Sequence, residues 1–160
     1  MAMMTRERFV QSLHESRAAT FKVGQWLHLL GYDVRIPAFY IPTAKNDPGI
    51  SDKGDIFIVK KDRPEKRMEV KHRPKLNFTT KEDWPFKDGM FVSNVEVVER
   101  GDVNLGAYII VNGPMTHIAI IRPETRRYWT QVDVWCSNTR KTERKFQCPV
   151  EHIQFRSISE

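Results

Sequence analysis

The chain has no long apolar run. Nothing in its 160 residues approaches the ~20 consecutive apolar residues that a membrane-spanning helix needs, so no membrane partner is expected. The opening stretch, MAMMTRERF, lacks the apolar core of a signal peptide, and the chain is expected to stay inside the cell, in the cytoplasm. Cysteine is scarce. Cys136 and Cys148, without an export signal, are expected as reduced thiols rather than as a disulfide. Together with His72, His117 and His152 they match no compact zinc-ligand spacing, which removes a zinc site from consideration. Low-complexity tracts and internal repeats are missing. So are a phosphate-cradling glycine loop, a Gly-x-Ser-x-Gly elbow and a His-Glu-x-x-His helix, the local signatures of three large enzyme classes.

What remains is an ordinary globular composition, long enough for a substantial core and expected as one domain over residues 1–160. The formal net charge is +6 and the sequence pI is near 9.4. A basic surface attracts polyanions and speeds encounter with them.

The most informative stretch covers residues 51–73, SDKGDIFIVKKDRPEKRMEVKHR. Gly54-Asp55-Ile56-Phe57-Ile58-Val59 is a short apolar run opened by an aspartate, and residues 60–67 form a charged turn containing Pro64. Residues 67–73 then alternate in character, as a strand does. Side chains two apart on a strand share a face, ~7 Å from each other. Glu69, Lys71 and Arg73 therefore fall on one face, and Met68 and Val70 on the other. Paired as a hairpin, the two strands bring Asp55 within reach of Glu69 and Lys71. Two carboxylates beside one ammonium are a donor set suited to Mg²⁺ and to charge developing on phosphate.

These residues resemble the PD-(D/E)xK nuclease superfamily, whose signature is an acidic residue opening one strand and Glu-x-Lys in the next. Here those are Asp55 and Glu69-Val70-Lys71, with Gly54 in place of the family's proline. The resemblance implies an α/β, restriction-endonuclease-like core: a long N-terminal helix packed on a central mixed β-sheet, with a strand-rich C-terminal half. It implies a Mg²⁺-dependent nuclease, Mn²⁺ substituting, that hydrolyses phosphodiester bonds. A DNA endonuclease is favoured, structure-selective or resolvase-like, and such enzymes often act as homodimers. Asp55 and Glu69 would hold metal with the backbone carbonyl of Val70, and Lys71 would assist the attacking water. Glu15, with Glu7 as second choice, would complete the shell from the first helix, and Asp52 is the fallback for Asp55. No Gln-x-x-x-Tyr follows Lys71, which argues against the RecB-like exonuclease branch. The alternative is a catalytically silent nucleic-acid-binding or assembly protein on the same fold.

The rest of the chain supplies the frame. Thr5 can cap a helix to about residue 30. Phe9, Leu13, Ser16, Thr20, Val23, Leu27 and Leu30 recur at helical spacing, and Gly31 ends the helix. Residues 33–41 read as a first strand and residues 42–51 as a polar loop. After Pro74, residues 75–87 mix aromatics with lysines, a combination that can stack on bases and hold phosphates or simply anchor a loop over the core. From this region and its neighbours come the candidate nucleic-acid contacts Lys53, Arg73, Lys75, Lys81, Trp84 and Lys87. A short helix is expected within residues 80–99. Residues 105–111 and 116–121 form a hairpin around Asn112-Gly113-Pro114. Residues 128–135 and 146–155 read as further strands, joined by a basic exposed loop at 137–145.

Overall fold

The computed structural model describes residues 6–37, 55–101, 103–137 and 139–159; the side chains of residues 6–10, 12, 13 and 55 lie outside that description. The first helix, α1 (Arg6–Leu29), matches the periodic stretch and ends at Gly31, whose φ of +87° suits a residue without Cβ. Its C-terminal half carries the buried stripe Ala19, Thr20, Val23 and Leu27, whereas Leu30 is exposed. The expected stripe therefore stops at Leu27, without its last member. Phe9 and Leu13 fall among the side chains not described.

Six short strands and one short helix follow among the described residues: β1 (Asp33–Arg35), β2 (Asp55–Val59), β3 (Lys66–His72), β4 (Met90–Asn94), α2 (Val95–Arg100), β5 (Leu105–Val111) and β6 (His117–Ile121). A 3-10 turn at Pro123–Tyr128 leads to β7 (Thr130–Cys136) and β8 (Lys141–Cys148), and a second at Val150–His152 leads to β9 (Ile153–Ser157). Among the described residues these form two sheets. The larger runs β1-β2-β3-β5-β6-β9 and the smaller β4-β8-β7. The larger sheet is mixed: β3 and β5 are parallel and its other neighbours antiparallel.

The period-two rule for strands explains how three layers stack. Ala107, Ile109 and Val111 of β5, with Ile118 and Ile120 of β6 and Met68 and Val70 of β3, meet Ala19, Val23 and Leu27 of α1. The alternate residues, Tyr108, Ile110, Ala119 and Ile121, point the other way and meet Met90, Val92, Phe146 and Cys148 of the small sheet. The central sheet is thus buried on both faces, by the helix on one and by β4-β8-β7 on the other. This bears out an N-terminal helix on a central mixed sheet with a strand-rich C-terminal region. Among the described residues no helix is long and apolar enough to cross a membrane.

Two sequence expectations are corrected here. The basic stretch 137–145 is not an open loop. Its residues 141–145 are most of β8, a strand because β4 pairs with it on one side and β7 on the other. Residues 146–155 are not one strand either. Pro149 breaks them into the end of β8, a 3-10 turn and the start of β9 in the other sheet. The hairpin at Asn112 came out as β5 and β6. Its turn residue does more than turn: fully buried, Asn112 donates from Nδ2 to the Phe78 carbonyl (2.9 Å) and to Thr116 Oγ1 (3.2 Å). Its Oδ1 accepts from the backbone N–H groups of Thr116 (2.9 Å) and His117 (3.1 Å).

Candidate functional site

The Asp55 and Glu69-Val70-Lys71 positions come together as the alternating pattern requires. Asp55 is the first residue of β2 and lies directly opposite Glu69 in the antiparallel register. The Asp55 side chain is outside the described residues, as are Asp52, Lys53 and the side chain of Glu7. Glu69 and Lys71 share a face, with Lys71 Nζ 3.0 Å from Glu69 Oε1, and Arg67 reaches the other carboxylate oxygen at 3.8 Å. Lys71 also donates to the backbone carbonyl of Val92 (3.2 Å), tying β3 to β4. The carboxylate looks into a small cavity of about 280 Å³, lined mostly by apolar groups that include Val97, Leu105, Tyr108 and Trp129. Val70 points the opposite way, into the core under α1, on a strand flanked by β2 and β5.

This arrangement corrects the metal expectation. Among the described residues no three His, Cys, Asp or Glu side chains gather where they could hold a metal ion. The physical reasons are local. Among the described residues, both Glu69 oxygens face cations, Lys71 and Arg67. Glu15 lies on α1, which packs against the Met68–Val70 face of β3, the face away from Glu69. Its carboxylate accepts a hydrogen bond from Gln11 (3.0 Å) on the exposed side of the same helix. Among the described residues no donor set for Mg²⁺ or Mn²⁺ is assembled, which overturns the expectation of a metal-dependent nuclease, endonuclease and hydrolase.

A different site forms where the chain leaves β3. Arg73 N donates to the Val111 carbonyl (2.9 Å), Leu76 N to that of Arg73 (3.0 Å) and Gly113 N to that of Leu76 (2.6 Å). Residues 73–76 are therefore pinned to the end of β5 and its turn. Phe78 and Trp84 then plug the following segment into the core, ring centroids 4.8 Å apart and edge to face, and the Trp84 indole donates to the Gly89 carbonyl (3.3 Å). Between these anchors the turn at residues 79–83 closes on Asp83. Its carboxylate accepts from Thr79 N (2.9 Å), Thr79 Oγ1 (2.6 Å) and Thr80 N (2.7 Å). Those bonds, the Thr79 hydroxyl first, pull the carboxyl from its usual 3.8 down to about 2.

Held in this way, segments 73–76 and 85–91 and the end of β8 enclose a groove of about 790 Å³. Four cations line it, Arg73, Lys75, Lys87 and Lys145, against one carboxylate, Asp88. Lys145 leans on Glu143 (3.4 Å), whereas Arg73, Lys75 and Lys87 make no ion pair among the described residues. The lining between the charges is apolar: Pro74, Leu76, Pro85, Phe86, Met90 and Phe91, with Phe86 44% and Phe91 40% exposed.

Of the residues singled out in the sequence, Arg73, Lys75 and Lys87 are brought together in this groove. Lys81 is exposed on the Asp83 turn and does not line it. Trp84, expected as a stacking surface, is 8% exposed and belongs to the core, because its ring packs on Phe78, Phe86 and Phe155. Phe86, Phe91 and Lys145 were missed. Phe86 shares its segment with Lys87 and could have been read there; Phe91 and Lys145 meet only through the pairing of β4 with β8. Cys148, at the end of β8, is fully buried, which pushes its thiol up to about 11 and leaves it unreactive. No protein-family model matches the chain, and no curated protein or solved structure matches it either.

Proposed function

We propose that this chain binds nucleic acid in the groove between the β3 exit segment and the small sheet, and that it does so without metal chemistry. One observation carries the reading: three cations without ion-pair partners among the described residues, Arg73, Lys75 and Lys87, converge with Lys145 on one concave surface. Phosphate neutralisation by such groups supplies most of the affinity in non-specific nucleic-acid binding. The overall charge of +6 adds long-range attraction toward a polyanion. DNA is the favoured form, following the motif resemblance.

The scaffold belongs to the same proposal. A restriction-endonuclease-like fold, used for binding, is supported by the long helix ahead of the sheet and by Asp55 opening β2. Glu69-Val70-Lys71 in the adjacent strand, registered against Asp55, supports it too. A fold does not fix an activity, so reuse of such a frame for binding is physically ordinary.

The test is fluorescence anisotropy with labelled oligonucleotides at low salt. Wild type is expected to bind, and Lys75→Glu combined with Lys87→Glu to weaken binding by at least about tenfold. Lys22→Glu combined with Lys61→Glu, two exposed lysines outside the groove lining, serves as a control of equal charge change and is expected to leave affinity near the wild-type value. Absence of binding, or equal loss in the control and in the groove variant, would overturn the proposal.

A further inference from the structure

The lining of the groove says more about the form of its ligand than its charge does. Resting on the nucleic-acid reading above, we infer that the groove takes an unpaired strand, whose bases stack on Phe86 and Phe91 while its phosphates meet Lys75, Lys87 and Arg73.

Both rings are held at the surface by ordered structure. Phe91 stands on β4 between buried Met90 and Val92, so the strand's alternation turns it outward. Its strand is held by β8, with Phe91 opposite Gln147. Phe86 leans edge-on against Trp84, centroids 5.7 Å apart, and Trp84 is locked in the core. Gly89, buried at a φ of +103°, lets the chain turn between the two phenylalanines. Two large apolar rings left about 40% exposed forgo burial in the free protein, and each recovers it when a planar apolar partner covers it.

The neighbouring cations restrict what that partner is. An apolar peptide would leave Lys75, Lys87 and Arg73 without counter-charges. A duplex would satisfy them, but its base faces are hidden in the stack and it presents phosphates and sugars to the rings. A single strand offers both at once, π-faces for the phenyl rings and phosphates for the ammonium and guanidinium groups. Cationic grooves floored by aromatics bind single strands in this manner, with little dependence on sequence.

The experiment compares three labelled DNA ligands of equal length in the same buffer: a mixed-sequence single strand, an abasic strand with the same phosphates, and a duplex. Wild type is expected to bind the single strand about tenfold or more tighter than the abasic strand, and tighter than the duplex. Phe91→Ala and Phe86→Ala are each expected to lose several-fold on the single strand and to leave the abasic strand unchanged. Phe91→Trp keeps a stacking face and is expected to hold wild-type affinity, which separates a lost stack from a disturbed strand. Equal affinity for normal and abasic strands, or a duplex preference, would overturn the inference. If binding survives with Lys75 and Lys87 still required, the charge reading stands and only the unpaired-strand inference fails. Loss of the lysine dependence would instead remove the nucleic-acid reading beneath it.

Discussion

Asp83 shows how one exposed side chain shapes the groove. Its carboxylate gathers Thr79 and Thr80 into a turn, and only the ionised form accepts all of those bonds. The folded state thus favours the charged carboxyl, with its titration lowered from 3.8 to about 2. Stability from this group is complete above the usual carboxylate value and disappears as the pH falls through the lowered one. Asp83→Asn is therefore expected to be less stable than wild type at neutral pH. The gap should narrow between the usual 3.8 and about 2, as read by urea unfolding over that range. A gap independent of pH would show that the charge is not what holds the turn. Glu69 carries the opposite lesson at the same scale. An acid at the expected position, on the expected face, is matched by two cations of its own strand, Arg67 and Lys71.

At the scale of elements, the groove depends on how closely the 85–91 segment approaches β8. Gly89 makes that approach possible. A Cβ at this position would run into the Cys148 carbonyl oxygen and crowd the Pro149 backbone, and its φ of +103° is one that side-chain-bearing residues rarely adopt. Gly89→Ala is expected to destabilise the protein by about 2–4 kcal/mol, from backbone strain and forced separation of β4 from β8. Gly101, at the end of α2 with a φ of +74° and open space around it, isolates the backbone part. Gly101→Ala is expected to cost only about 1 kcal/mol. Thermal or urea unfolding of both variants checks the pair, and equal costs would show that close contact with β8 is unimportant. The elements themselves differ in how readable they were. β5 and β6 follow from short apolar runs joined by Asn112-Gly113-Pro114, a purely local signal. β8 does not, because Lys141-Thr142-Glu143-Arg144-Lys145 is polar on both faces and becomes a strand only through partners on either side.

Over the whole molecule, charge decides how binding responds to salt. A single strand loses affinity with a log–log slope of about −0.7 per phosphate neutralised. Three cations without ion-pair partners among the described residues and a fourth shared with Glu143 therefore give an expected slope of about −2 to −3. Lys75→Glu is expected to flatten the slope by about 0.7 or more. Anisotropy titrations across a salt series measure both, and a slope near zero would mean that phosphate contacts do not drive association. The excess of +6 by itself predicts attraction to any polyanion. The gathering of four cations in one groove is a property of the folded chain.

The sequence by itself determined the helix-then-sheet order, the two faces of β3 and the cations Arg73, Lys75 and Lys87. All of these rest on contacts between residues near one another in the chain, through helical period, strand alternation or a shared loop. Only the tertiary structure decided that α1 carries Glu15 to the far side of the sheet and that Trp84 is core. It alone brought Phe91 and Lys145 to the same groove as Lys75. The reason is physical. A short motif specifies which groups can meet on one strand, whereas what faces them across a layer is set by packing between segments far apart in the chain.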